Sequence, residues 1–136
     1  MNLTAIIVTI VASLLSGIVG VIVSTYYYRR YDKAKLKRDV LRRFVGNRHV
    51  LTVMTPDNKG EPFIALNEAF IVFADSPDVI TSLKKMHKEL GQPERLLDNI
   101  VVLVKAMADS AGISLQDFDE TFITKPFTPG KKHTEN

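Results

Sequence analysis

The chain has no cysteine, no tryptophan and only three histidines in 136 residues. Without cysteine there is no disulfide framework, no thiolate nucleophile and no cysteine metal site, which fits a domain in a reducing compartment. His49, His87 and His133 lie far apart, and no pair has the spacing at which one helix face holds a metal. No glycine-rich phosphate loop is present, because Gly17 and Gly20 fall in an apolar run.

A further absence is local: from Leu3 to Tyr28 there is no charged residue. Twenty-six residues as a helix reach roughly 39 Å, against a hydrocarbon core of about 30 Å. A secretory signal peptide would carry a positive n-region, a shorter apolar stretch and a small-residue cleavage site. Here no Lys or Arg precedes the run, and it ends in Tyr26, Tyr27 and Tyr28, whose amphipathic rings suit the headgroup level. Residues 1–28 therefore read as a retained transmembrane anchor.

The next stretch of chain is basic. Nine Lys or Arg stand from Arg29 to Arg48 against Asp32 and Asp39, a net of +7; the other residues carry nine basic and thirteen acidic groups, a net of −4. The overall +3 is thus a property of the juxtamembrane stretch, and it is no sign that the domain binds nucleic acid. By the positive-inside rule the C-terminal side is cytoplasmic and the N-terminus outside, giving a single-pass protein of the inner (plasma) membrane. Arg29, Arg30, Lys33, Lys35, Lys37 and Arg38 are candidate contacts to anionic lipid, each worth about 1 kcal/mol near the surface. Inside the span, Ala12, Ser16, Gly20 and Ser24 recur every fourth residue, a small-residue stripe that permits self-association and a homo-oligomer.

Residues 29–55 read as a basic juxtamembrane helix that continues the span, with an apolar edge of Leu36, Val40, Phe44, Leu51 and Met54; its charge argues against a place in the core. Gly46-Asn47 interrupts it, and a turn-rich run from Thr55 to Gly60 ends it. Residues 56–125 read as a helical cytosolic domain. Residues 61–73 are ambiguous, with Ala65-Leu66-Asn67 helical and Phe70-Ile71-Val72-Phe73 strand-like.

Ser76-Pro77 opens a helix with Val79, Ile80, Leu83, Met86 and Leu90 on one face, stopped by Gly91. Pro93 opens another with Leu96, Leu97, Ile100, Leu103, Val104, Met107 and Ala111 inward, stopped by Gly112. Because residues 100–104 are apolar on all sides, this helix should be central. Ser114 and Asp117 suggest a capping box for a last short helix, and residues 126–136 read as a disordered tail. The fold class expected is all-α: one N-terminal transmembrane helix followed by a small cytosolic bundle of about four helices. A domain of this size gains from an oligomer contact.

Several motifs together resemble an uncharacterised bacterial family of short single-pass membrane proteins. They are the apolar N-terminus, Arg42-Arg43-Phe44, Ala65-Leu66-Asn67 before Val72-Phe73, Ser76-Pro77 with Val79, Ala106-Met107-Ala108 before Gly112, and Phe127-Thr128-Pro129. The resemblance implies the architecture and assigns no activity.

The search for chemistry favours structural roles. His87 reads as a boundary residue beside Met86, Asn67 as a local cap in an apolar stretch, and Asp117, Asp119 and Glu120 as acids at a helix start. No nucleophile–base set, cofactor site or metal site is expected, and an enzyme is not. The function expected is a membrane-anchored interaction, scaffold or sensor protein whose partners are membrane lipids and an unidentified cytosolic protein. Nucleic acid is disfavoured, for the tyrosines flank the charges only at the membrane end. The alternative is a small membrane effector of toxin or phage-defence type, although the span has no polar face beyond Ser and Thr to line a pore.

Overall fold

Helices account for all the regular structure among the residues that the computed structural model describes, 2–52, 60–116, 119–125 and 127. They are α1 (Leu3–Asn47), α2 (His49–Thr52), α3 (Glu61–Val72), α4 (Pro77–Glu89), α5 (Pro93–Ser110) and α6 (Thr121–Thr124). The chain divides into two compact units, Met1–Ala34 and Lys35–Asn136, and α1 runs unbroken through the boundary.

The first unit is a single helix with no buried described residue, although its side chains are almost all apolar through Val23. One hydroxyl turns back on the helix: that of Thr9 donates to the Ala5 carbonyl at 2.8 Å. It is the one described helix long and apolar enough to cross a membrane.

The second unit has its core around α5. Leu96, Ile100, Val101, Leu103, Val104, Met107 and Ala108 are buried there, at spacings of three and four that put them on one broad face. The expected all-round burial of residues 100–104 fails at Val102, which is half-exposed, and Leu97 also faces outward. Val79, Leu83 and Met86 of α4 pack against the same core.

Three starts and one stop are local chemistry. Prolines sit at the first or second position of α3, α4 and α5, where the missing N–H costs nothing. At the end of α5, Gly112 takes φ +70°. Its N–H donates to the Asp109 carbonyl (3.0 Å), and the Ile113 N–H reaches back to Ala108 (2.8 Å), a Schellman closure.

One open reading is settled and three expectations are corrected. Phe70-Ile71-Val72 is helical and Phe73 is the cap of α3, so this run is no strand. The basic stretch, whose charge argues against a place in the core, supplies Val40, Leu41, Phe44 and Leu51 to it. Its buried stripe is Lys37, Val40, Leu41 and Phe44, while Leu36 is exposed. Residues 113–115 are not helical; α6 begins at Thr121, whose N–H donates to Asp119 Oδ1 at 2.9 Å. The suggested capping box falls in part on Asp117, and the apolar edge in part on Met54. Both residues lie outside the described ones, as do residues 128–136 of the tail and His133.

Candidate functional site

The basic residues of the first forty-eight fall into two groups with different occupations. Lys37 is 7% exposed and places its three donors on three acceptors: Ser76 Oγ (3.1 Å), Ser110 Oγ (3.0 Å) and Asp75 Oδ1 (2.9 Å). Its ammonium also lies 5.5 Å from the Phe73 ring centroid, a cation–π contact. Arg38 Nε donates to the Ala111 carbonyl at the end of α5 (3.3 Å). Both cations thus sit where the α5 dipole is negative.

Arg43 makes a two-pronged contact with the Glu68 carboxylate of α3. Arg48 Nε donates to Ile123 O (2.7 Å), and its two other nitrogens serve the carbonyls of Val45 and Phe122. Partial burial there lowers the Arg48 pKa. Lys37 is therefore removed from the proposed lipid contacts, since its charge is consumed inside the domain. Arg29, Arg30, Lys33 and Lys35 are exposed.

Ala12, Ser16, Gly20 and Ser24 are exposed along α1, and nothing lies within 4 Å of where a Cβ on Gly20 would sit. The acidic group does local work among its described members: Asp119 receives the Thr121 N–H and Glu120 pairs with Lys105. Hydrogen bonds from Thr121 hold the Asp119 carboxyl below the usual range. No three metal-ligating side chains come together among the described residues.

Asn67 is exposed in the middle of α3 and caps no helix, contrary to the local cap read from its surroundings; the buried asparagine is Asn99, which donates to Glu89 Oε2 at 2.9 Å. That bond, with Lys85 and Arg95 nearby, keeps the Glu89 carboxyl low despite desolvation.

Among the exposed apolar residues described, four gather on the outer side of α3. Phe63, Ile64, Phe70 and Ile71 are exposed there by 39, 47, 37 and 80%. Phe63, Asn67 and Phe70 form one wall of a groove of about 80 Å³ whose other wall is Leu83, Met86, His87 and Leu90 of α4. His87 is thus a rim residue, as its sequence position suggests. The Phe-Ile pair repeated after seven residues is visible in the sequence, but the pairs share one face only because residues 70–72 are helical. Compared with protein-family models, curated proteins and solved structures, the chain matches none.

Proposed function

We propose that this is a membrane-anchored interaction protein: residues 1–28 span the bilayer, and the helical domain beyond engages another protein through the apolar side of α3. The observation that carries the reading is a 26-residue uncharged stretch from Leu3 to Tyr28, in which no residue is buried by the rest of the chain. Apolar surface on that scale in water would cost about 25 cal/mol per Å², so a hydrocarbon environment is its natural cover. The basic residues beyond it argue for a cytosolic C-terminal side, and Arg29, Arg30, Lys33 and Lys35 are placed to meet anionic headgroups. The four exposed apolar side chains of α3 make a patch of the size that marks contact sites.

Cell fractionation tests the anchor. The chain should stay with membranes after washes in high salt and carbonate, and a cytosol-dependent reporter fused after Asn136 should be active. Release by carbonate would remove the span, and activity of a periplasm-dependent reporter at that position would reverse the orientation.

A further inference from the structure

The exposed apolar residues of α3 are arranged symmetrically about Asn67: Phe63 and Ile64 lie four and three residues before it, Ile71 and Phe70 four and three after it. A helix face with that arrangement is complementary to its own antiparallel image. Laid across a two-fold axis at Asn67, each Phe63 meets the partner's Ile71 and each Ile64 the partner's Phe70. The two Asn67 amides meet on the axis, where each can donate to the other's oxygen.

We propose that the α3 face is an isologous contact between two copies of this chain, with Asn67 fixing the register. The proposal rests on the interaction reading above and names its partner. Asn67 fits that role: it is exposed in the middle of the apolar face, so its amide is open to a partner. A polar residue at the centre of an apolar seam costs stability and selects one alignment.

Area sets how strong such a pair can be. With a full side chain near 200 Å², the four exposed fractions leave roughly 400 Å² per copy, or about 800 Å² in all. A standard stable interface takes about 1,600 Å². The pair is therefore weak in free solution and populated when two copies share a membrane, where confinement raises their effective concentration.

The bilayer itself is a poorer occupant. The only charges on α3 are Glu61 and Glu68, and the chain outside the basic stretch is net acidic, which an anionic leaflet repels.

The absence of native cysteine makes the test direct. Full-length Asn67→Cys is oxidised with copper phenanthroline in whichever washed fraction holds the chain. It should give a disulfide-linked species of twice the chain mass about tenfold faster than Asp98→Cys, an exposed position on α5, because facing thiols within disulfide reach have a high effective concentration. Adding Ile71→Lys, at a position too exposed to affect folding, should bring the rate down to that of Asp98→Cys. Equal rates for the two single-cysteine chains, or a rate indifferent to Ile71→Lys, would overturn the proposal. A faster adduct with a polypeptide of another mass would also overturn it while leaving the interaction reading intact, and the fraction in which the chain is found reports on the anchor separately.

Discussion

Lys37 shows how far one residue's role can depart from its charge. Its ammonium faces Ser76, Ser110 and Asp75, so each of its three protons has an acceptor, and the Phe73 ring covers it from one side. Ser76 precedes α4 in the N-cap position, yet its hydroxyl makes no cap; it is drawn into this cluster and bonds Ser110 as well. The position of the cap follows from Ser-Pro alone, whereas the use of its side chain depends on a residue 39 positions away.

A buried cation is costly once its counter-ion is gone, and less so if the cation goes too. Asp75→Ala should therefore destabilise the domain by about 1–2 kcal/mol, the cost of breaking a buried pair discounted because the Asp75 side chain is 43% exposed. Lys37→Met should cost less, since Ser76 and Ser110 keep each other, and Asp75→Ala should cost less in that background than alone, where only its other contacts, such as that from the Ser76 hydroxyl, are lost. Urea unfolding of the four chains checks this cycle; an equal effect of Asp75→Ala in both backgrounds would mean that the pair does not couple.

At the scale of elements, α1 does two jobs in one helix, and composition hid the second. From Lys35 to Asn47 it has charged residues at six positions and still buries Lys37, Val40, Leu41 and Phe44, because the burial repeats at three and four while the other charges fall on the remaining faces. Charge averaged over the segment cannot show that; the spacing can.

Residues 70–72 could be read either way, for their β-branched and aromatic side chains suit a strand as well as a helix. There Ala65, Leu66 and Ala69 fix a helical face against the core, and tertiary packing overrides the local preference. The helix starts at Pro77 and Pro93 and the stop at Gly112 were legible, for proline and left-handed glycine act through their own backbone. The α3 face was half legible: Asn67, Phe70 and Ile71 stood out by composition, but Phe63 and Ile64 join them only at helical spacing.

If the C-terminal part of α1 belongs to the domain, Phe44→Ala, fully buried, should cost about 3–5 kcal/mol, and Leu36→Ala, exposed on the same helix, should stay within about 0.5 kcal/mol. Thermal unfolding followed by circular dichroism distinguishes them. Equal midpoints would place this stretch outside the folded unit.

On the scale of the whole molecule, charge and apolar surface are sorted along the chain: an uncharged run, then cations, then a net acidic remainder. Of these cations, Lys37, Arg38, Arg43 and Arg48 make contacts on the domain and Arg42 pairs with Asp39, while the side chains of Arg29, Arg30, Lys33 and Lys35, like that of Arg38, are exposed.

The stripe of Ala12, Ser16, Gly20 and Ser24 poses a separate question of association in the bilayer. Each of these positions is advanced about 40° on the last, which gives a gently winding groove that a second helix can approach closely. A Cβ at Gly20 would meet nothing within 4 Å, so a larger side chain there leaves the single helix undisturbed and acts only between molecules. Gly20→Ile should then weaken association by about 1–2 kcal/mol at most, and Val21→Ile, off the stripe, should leave it unchanged. Neither change makes the span less apolar, so insertion is common to all three chains. An association assay on residues 1–28 in a membrane should rank wild type with Val21→Ile and above Gly20→Ile. Equal signals from all three would remove the stripe as a contact and leave the folded domain, with its exposed α3 face, as the next surface to test.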